Sequence, residues 1–315
     1  MSISSNGCAT DLTCLCCGER GTSSFWAKAT DLEYHTTSEP FDFLLCGSCG
    51  SIFIHPVPVD RLSEIYPPNY YSYSQSRNSL IHHIKTELDK RYFQQLLKTV
   101  PGKMLNALDI GGGAGWELNI LKQADSRISF TQIVDLDPDA EKFAVKNSHQ
   151  YFCGKIENFS SAHTFDVILM LNLIEHVANP LAILEQVRTL LSADGIIIIK
   201  TPNIDSLDAR LFRHRNWGGY HCPRHWVLFT KESLSGLIHR AGLHVIETKY
   251  TQGAPFWTIS VLSWLEGMGL VSITRSRPVV YHPLFPFLSA FFAGFDFVRG
   301  IFSKNSQMFF VLGRR

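Results

Sequence analysis

Apolar residues follow two different spacings along most of the chain after residue 100. Short continuous apolar runs predict strands, and apolar positions three or four residues apart predict helices between them. The predicted strands are 104–110, 130–136, 151–153, 165–171, 195–201, 243–250 and 306–313. The predicted helices are 115–124, 139–148, 179–191 and 231–241. Strands that alternate with helices in this way predict an α/β fold, a parallel sheet with helices on both faces.

The regions on either side of this alternation have different patterns. Residues 1–60 are rich in Cys, Gly, Ser and Thr and lack helical spacing, so we assign them to a separate small module. Residues 61–101 begin as a proline-rich linker and continue as an amphipathic helix. The domain 102–315 contains an insertion at about 251–305, which is too long for a bare loop and is predicted to fold as helices.

Composition narrows the class of protein. Of the 315 residues, 45% are hydrophobic and 18% are charged, which is enough apolar material for a large core. The net charge of +1 argues against a nucleic-acid partner, because such proteins carry a strong basic excess. Residues 1–13 lack the apolar core of a secretory signal, so we expect a cytoplasmic location and reduced thiols.

The segment 284–302 is nearly all apolar and about long enough to cross a bilayer. It contains Asp296 and Arg299, which are costly against lipid, and Pro286 and Gly294 interrupt it. We therefore expect a buried helix that caps the domain. Peripheral contact with the inner membrane face stays open as an alternative, because apolar helices of this kind also suit a membrane surface.

The residues Asp109-Ile-Gly-Gly-Gly-Ala-Gly115 follow the first predicted strand and precede a helix. Glycines at such a turn let a ligand approach bare backbone, and the helix N-terminus directs N–H groups at it. The fingerprint G-x-G-x-x-G does not fit because its third glycine would fall on Trp116, and the Gly-Lys-Ser/Thr of a Walker A loop is absent from the sequence. The run D-x-G-G-G-x-G resembles instead the first motif of class I S-adenosylmethionine-dependent methyltransferases.

This resemblance extends in the same order over about residues 104–250. It implies a Rossmann-like, seven-stranded methyltransferase sheet and S-adenosyl-L-methionine as the cofactor. Asp135, at the end of the second strand, is the candidate for the ribose hydroxyls, and Asp137 ranks second because Pro138 follows it as in a helix cap. Lys155 stands where many members carry Asp, so the adenine contact rests on its neighbours. The predicted donor-binding residues are Asp109, Gly111, Gly113, Gly115, Asp135, Leu136, Ile156, Glu157, Leu171 and Asn172.

The N-terminal module contains two C-x-x-C-G patterns, Cys14–Gly18 and Cys46–Gly50. Two such turns supply the four thiolates of a closed tetrahedral site, which is typical of structural zinc. The predicted ligands of this structural Zn²⁺ are Cys14, Cys17, Cys46 and Cys49. Cys16 is an alternative to Cys14 or Cys17, and free thiols are the alternative to a metal site.

The acceptor side of a methyltransferase aligns the acceptor and removes its proton where needed. The candidate bases are His225, His176 and His221, in that order. The candidate acceptor-binding residues are Tyr71, Trp217, Tyr220 and Arg224. In ubiquinone-pathway O-methyltransferases a Glu stands in place of Asn172 and can bind a divalent metal, so Asn172 weakens that interpretation here.

The cysteine module and the segments Ile65–Tyr71 and Pro223–His225 resemble a group of methyltransferases with an N-terminal zinc-binding module. This group includes sugar C-methyltransferases and enzymes of polysaccharide and natural-product pathways. The resemblance implies methyl transfer to a small-molecule acceptor of these pathways, lipophilic acceptors included. The alternative is a non-catalytic or membrane-surface interaction protein on the same fold. The sequence assigns neither the methylated atom nor the oligomeric state.

Overall fold

The computed structural model describes residues 12–67, 70 and 80–314. In chain order the strands are β1 (Ser23–Ala29), β2 (Phe41–Cys46), β3 (Ile52–His55), β4 (Leu105–Ile110), β5 (Ile128–Asp135), β6 (Gln150–Cys153), β7 (Phe165–Leu171), β8 (Leu191–Pro202), β9 (Val227–Leu228), β10 (Leu243–Thr251) and β11 (Gln307–Arg314). The helices are α1 (Leu62–Ile65), α2 (Leu80–Leu97), α3 (Trp116–Ala124), α4 (Pro138–Lys146), α5 (Pro180–Leu190), α6 (Leu207–Leu211), α7 (Lys231–Arg240), α8 (Ala254–Gly267) and α9 (Phe285–Arg299).

The predicted seven-stranded sheet is confirmed in the described part of the chain, with the strand order β10-β11-β8-β7-β4-β5-β6. The strands from β8 to β6 are parallel to their neighbours. β11 runs antiparallel to both β8 and β10, so the sheet is mixed and not wholly parallel as the alternation predicts. The insertion leaves the sheet at the end of β10 and returns at the same edge, where Thr251 pairs with Gln307, so β11 runs back antiparallel to β10.

Helices cover both faces of this sheet, as its continuous apolar strands predict. Ile196 and Ile198 of β8 belong to a core cluster with residues of α2 and α3. Ile197 and Ile199 point the other way, into a cluster with residues of α5 and α7. Strands β4, β5, β7 and β8 therefore end at one common edge, and the polar residues that follow them are brought together there.

A second, four-stranded sheet has the order β1-β2-β3-β9. Its first three strands come from the N-terminal module, but β9 follows β8 in the larger domain. Its core cluster combines Phe41, Phe43 and Ile54 of the module with Trp217 and Trp226. The sheet thus crosses the boundary that we predict near residue 60, and the module shares a core with the chain segment that follows β8.

The predicted helical insertion is confirmed as α8 and α9. Trp257 of α8 stacks on Phe292 of α9, with 5.2 Å between the ring centroids. Asp296 of α9 is buried, accepts hydrogen bonds from Gly253 N (2.8 Å) and Trp257 Nε1 (3.1 Å), and pairs with Arg299 at 2.8 Å. These bonds fix one face of α9 against α8.

The expectation of a buried capping helix is wrong for α9. Asp296 is its one buried residue, because α8 covers a single face of the helix and nothing else in the described residues covers the opposite face. Within residues 12–67 and 80–314, no helix combines the length and the apolar composition needed to cross a membrane.

Candidate active site

The loop between β4 and α3 has a left-handed backbone at three glycines, Gly111 (φ 77°), Gly113 (φ 50°) and Gly115 (φ 81°). Side chains other than glycine rarely adopt this conformation. At Gly115 a Cβ atom would also lie 2.5 Å from the ring of His149. Gly115 is the N-cap of α3, so the unpaired N–H groups of this nine-residue helix begin at the loop.

His149 is a residue of this site that the sequence analysis misses. Its Nδ1 accepts a hydrogen bond from Thr131 (2.8 Å), and its Nε2 donates to the Asn119 side chain (3.2 Å). Burial, with a contribution from Lys122, lowers its pKa to about 4, so the ring is neutral. Its ring is therefore held in place and packs directly against Gly115. No motif or spacing marks this histidine in the sequence.

Two carboxylates flank the glycine loop. Asp109 ends β4, is 2% exposed, and its Oδ2 has no hydrogen-bond partner among the described residues. Burial, with contributions from Glu117 and Asp135, raises the pKa of Asp109 well above its usual value. Asp135 accepts from Gly113 N (2.7 Å) and Asp137 N (2.9 Å), and burial raises its pKa although these donors oppose the shift.

The other predicted donor-binding residues border the same edge. Asp137 is the N-cap of α4 and accepts from Asp139 N (2.9 Å), which confirms its predicted capping role. Leu136 and Glu157 are exposed, and Ile156 is buried in the core. At the end of β7, Leu171 is half-buried, and Asn172 has a positive φ of 54°. These positions do not test the predicted contacts of the residues with the adenine and the methionine part of the donor. Those contacts therefore stay predictions.

The three candidate bases lie together beyond the ends of β7 and β8. The ring centroids of His176 and His225 are 4.6 Å apart, and those of His221 and His225 are 5.0 Å apart. We call these three histidines and Glu175 the histidine cluster. His225 is 5% exposed, and its Nδ1 donates to the carbonyl of Gly219 (2.8 Å). Its Nε2 then faces Glu175 Oε1 at 3.9 Å.

The protonation of the cluster follows from its burial. Burial lowers the pKa of His176 to about 3, and burial with the two neighbouring histidines lowers the pKa of His225 well below its usual value. Burial raises the pKa of Glu175 to about 8. Glu175 Oε2 accepts from Thr201 (2.9 Å), whereas Oε1 has no hydrogen-bond partner in the described residues. At neutral pH the His225 ring is therefore neutral, with its proton on Nδ1, and the Glu175 carboxyl group is protonated.

His221 is held by residues from two other parts of the chain. Its Nδ1 donates to Glu33 (2.8 Å), in the loop between β1 and β2, and its Nε2 accepts from Tyr70 (2.9 Å). His176 Nδ1 lies 3.0 Å from both the carbonyl of Arg224 and the hydroxyl of Tyr66. The N-terminal module and the predicted linker therefore fix the orientation of the cluster.

Arg224, which is predicted to bind the acceptor, is 0% exposed and paired with Asp31 at 2.9 Å. It also donates to the carbonyl of Ile65 (2.6 Å). Burial raises the pKa of Asp31, but the charge and hydrogen bonds of Arg224 outweigh it and hold that pKa below its usual value. The observed role of Arg224 is to join the module, the linker and the histidine cluster.

The other predicted acceptor-binding residues are not assembled into an open pocket. Trp217 is buried and donates to Asp208 (2.8 Å). Tyr220 is buried, accepts from Trp26 (3.0 Å) and donates to the carbonyl of Arg213 (3.0 Å). Both side chains have their polar atoms satisfied within the core that the two sheets share. Tyr71 lies outside the described residues.

The family model described as "Methyltransferase domain" matches residues 80–248, more than half of the chain. The chain belongs to the methyltransferase-domain family. The matched region runs from α2 to β10 and includes the glycine loop, both flanking carboxylates and the histidine cluster.

Curated relatives of this methyltransferase-domain chain are named ubiquinone biosynthesis O-methyltransferase. One from Rhodopseudomonas palustris (strain BisB5) is 26% identical over 188 residues, which cover 57% of this chain and 63% of the relative. One from Actinobacillus pleuropneumoniae serotype 5b is 31% identical over 135 residues, which cover 38% of this chain and 55% of the relative. The chain thus spans little more than half of the length of these relatives.

The solved structures that this chain resembles include the plantazolicin methyltransferase BpumL in complex with SAH. It is 18% identical to this chain, with a TM-score of 0.47 over 73% of this chain and 84% of that chain. Coclaurine N-methyltransferase, bound to N-methylheliamine and SAH, is 14% identical, with a TM-score of 0.46 over 82% of this chain and 80% of that chain.

Outside the methyltransferase-domain match, the structure brings the four predicted thiols together. Their sulfur atoms all lie within 4.8 Å of one another, with Cys14 and Cys49 at 3.8 Å and Cys17 and Cys46 at 3.6 Å. A tetrahedral zinc with Zn–S bonds of about 2.3 Å would place its sulfurs about 3.8 Å apart. Cys16 is not one of this group of four, and its thiol lies 3.9 Å from the carbonyl of Ser233.

Proposed function

We propose that this chain transfers the methyl group of S-adenosylmethionine to a small-molecule acceptor. The observation that carries this proposal is the buried Asp109 Oδ2, which has no hydrogen-bond partner in the described part of the chain and lies beside a left-handed glycine loop. A buried carboxylate in this state is costly unless a ligand supplies a donor or a positive charge. S-adenosylmethionine offers both, through its ammonium group and its sulfonium.

The geometry of Asp135 fits the ribose of the same ligand. Each of its two oxygens accepts one backbone N–H, from Gly113 and Asp137, and each keeps a further lone pair. A carboxylate held in this way is already oriented for two neighbouring hydroxyls, so binding them costs little conformational entropy. Asp135 is therefore the proposed ribose-binding residue, and Asp137 remains the helix cap.

The bound donor would supply an electrophilic methyl carbon whose bond to sulfur breaks as the acceptor atom attacks, leaving the electron pair on sulfur. We assign the acceptor's proton to Nε2 of His225. Its Nδ1 donates to the carbonyl of Gly219, and its pKa is low, so Nε2 carries a lone pair at neutral pH. Glu175, at 3.9 Å from Nε2, is protonated at neutral pH, so it would stabilise the imidazolium that forms only by giving up its own proton.

We propose a small acceptor of the sugar, polysaccharide-pathway or natural-product classes, lipophilic compounds included. The names of the relatives, which refer to ubiquinone biosynthesis, support a small and partly apolar acceptor. Tyr66 and Tyr70 lie beside His176 and His221 and offer aromatic surface on this side of the cluster. Tyr71 extends this proposal to a residue outside the described ranges.

We also propose that Cys14, Cys17, Cys46 and Cys49 hold a structural Zn²⁺. The support is that the four sulfurs lie within 4.8 Å of one another, with two pairs at 3.8 and 3.6 Å, close to the edge of a zinc tetrahedron. Four ligands leave no open position, so this site would stabilise the module and take no part in the reaction.

Calorimetry with S-adenosylmethionine tests the proposal. We expect a dissociation constant on the order of micromolar, within the usual range for enzyme substrates. Because a cationic ligand lowers the raised pKa of Asp109, binding should release a proton. Titrations in two buffers of different ionisation enthalpy measure that proton.

The matched variant is Asp109→Asn, which keeps the shape of the side chain and removes its charge. It should weaken binding and abolish the proton release. If folded wild-type protein binds neither the donor nor its demethylated product, the methyltransferase proposal is wrong. The alternative of an interaction protein on the same fold would then stand.

A further inference from the structure

The outer side of α9 and of the turn after it is apolar and exposed. On an α-helix, successive residues are about 100° apart, and every position on the arc that faces away from Asp296 is apolar here. These residues are Leu284, Phe287, Ala290, Phe291, Gly294, Phe297, Val298, Ile301 and Phe302, and all of them are exposed. We call them the aromatic face. Phe287 is 73% exposed, Phe297 71% and Phe302 83%.

This pattern differs from an ordinary surface helix, whose outer side is polar. Several exposed phenylalanines of about 150–250 Å² each form a contiguous patch larger than a water-facing surface usually presents. The inner side is satisfied, because Asp296 bonds to Gly253, Trp257 and Arg299. The helix is therefore fixed in this orientation with its aromatic face outward.

The segment that leads into α9 carries charge of one sign. Between Met268 and Phe295 the chain contains Arg275 and Arg277 and no Asp or Glu. Both arginines are exposed, and the 3-10 turn Val279–Tyr281 that follows them packs against α9. Exposed aromatic residues flanked by positive charge are complementary to a surface that is apolar inside and negative outside.

Two other occupants fit less well. A stable dimer needs about 20–30 residues from each partner, and the aromatic face has nine. A two-fold contact would also bring like-charged arginines together. The segments 1–11 and 71–79, which lie outside the described ranges, are also poor candidates to cover the aromatic face. They are mostly polar and offer little apolar surface to bury.

We propose that the aromatic face binds the surface of an anionic lipid membrane, with α9 lying flat in the headgroup region. A helix of 15 residues suits this position, since none of the described helices is suited to cross a bilayer. α8 would then separate the lipid from Gly218, which packs against Phe256 and Ile259 of α8. The histidine cluster would be held close to the membrane but outside it.

Vesicle flotation of the full chain tests this proposal, with vesicles of phosphatidylcholine alone and of phosphatidylcholine with phosphatidylglycerol. The wild type should float with the vesicles that contain phosphatidylglycerol. The triple variant Phe287→Ser, Phe291→Ser, Phe297→Ser should bind at least about tenfold more weakly, because three phenylalanines no longer enter the headgroup region. Arg277→Gln should weaken binding to anionic vesicles about fivefold and leave the weak binding to neutral vesicles unchanged. Arg277 is the cleaner probe, because Arg275 also acts on the pKa of Glu64.

The matched control replaces three exposed apolar residues elsewhere, with Phe25→Ser, Leu88→Ser and Val145→Ser, and should float like the wild type. Donor binding checks the folding of every variant, and its failure is a separate result because none of the substitutions touches the glycine loop. Wild-type protein that does not float, a triple variant that floats equally well, or equal binding to neutral vesicles would overturn the proposal. So would a wild-type dimer in sedimentation velocity that the triple variant converts to monomer.

Discussion

The glycine loop and the histidine cluster lie at the same edge of the sheet but are built in opposite ways. The contact that orders the loop, from Gly113 to Asp135, joins residues 22 positions apart. The contacts that order the cluster join Glu33 to His221 and Asp31 to Arg224, at separations of 188 and 193. One half of the site is local, and the other depends on two sheets that share a core.

The two halves also differ in what they leave unsatisfied. Beside the loop, a buried carboxylate oxygen of Asp109 has no partner in the described residues, which is the state that a binding site reserves for its ligand. In the cluster, Glu175 Oε1 also lacks a hydrogen-bond partner among the described residues, but it faces His225 Nε2 at 3.9 Å, and His221 is bonded to Glu33. We therefore expect donor binding and proton transfer to respond to different substitutions. Substitutions in the N-terminal module should disturb the histidine cluster more than the glycine loop.

The largest effect is expected from the cysteine site. Cys46→Ser should remove the zinc and lower the free energy of unfolding by about 5 kcal/mol or more, because metal binding is folding free energy in small modules. Metal analysis of the wild type should find about one zinc per chain. Cys153→Ser, at an exposed thiol, is the control and should change neither quantity. Wild-type protein that contains no zinc and has the same free energy of unfolding as Cys46→Ser would contradict the zinc site.

The next effect concerns the join between the module and the cluster. Asp31→Asn leaves the guanidinium of Arg224 buried without its counter-charge, which should cost about 3–5 kcal/mol in chemical denaturation. Asp42→Asn removes one partner of the exposed Lys28–Asp42 pair and should cost less than about 1 kcal/mol. Similar losses in the two variants would mean that the buried pair does not hold the two regions together.

A smaller effect is expected in the local half. Gly115→Ala places a Cβ against His149 and forces a left-handed backbone on alanine, at a cost of about 1–2 kcal/mol for the backbone alone. Donor affinity should fall with it, since the loop must shift. Gly236→Ala in α7, where a Cβ meets nothing within 4 Å, should be neutral or slightly stabilising. Unchanged donor binding in Gly115→Ala would separate the loop from the donor site.

The smallest effect is a dependence on pH. Burial raises the pKa of Glu175 from 4.5 to about 8, so between these values the folded state holds a proton that the unfolded state has lost. The stability contributed by this group therefore falls as the pH rises from about 4.5 to about 8. Thermal unfolding of Glu175→Gln should show a flatter pH profile than the wild type in this window. Parallel profiles would mean that Glu175 titrates normally.

The glycine loop and its flanking carboxylates could be predicted from the sequence because their residues lie close together along the chain. The glycines and Asp109 form one motif, Asp135 ends the next strand, and Asp137 precedes Pro138, so strand and helix patterns were enough to order them. The sheet followed from the same patterns. The antiparallel direction of β11 did not, because a strand's own residues do not indicate which way it runs.

For the histidine cluster, the sequence could provide only candidate residues. The sequence names His221, His225 and Arg224, but not that Asp31 and Glu33 would reach them, since neither belongs to a motif. Trp217 and Tyr220 look like acceptor residues in a loop and instead fill the core that the two sheets share. The apolar run at α9 predicted burial, yet the residues available to cover it reach only one face.

The most direct test compares the two halves in one calorimetric experiment. S-adenosylhomocysteine, the demethylated product, is titrated into wild type, Asp135→Ala and His225→Gln. We expect the wild type to bind, Asp135→Ala to bind at least about tenfold more weakly, which corresponds to about 1.4 kcal/mol, and His225→Gln to bind with the affinity of the wild type. Equal affinity in Asp135→Ala and the wild type, or a wild type that binds nothing, would contradict this expectation.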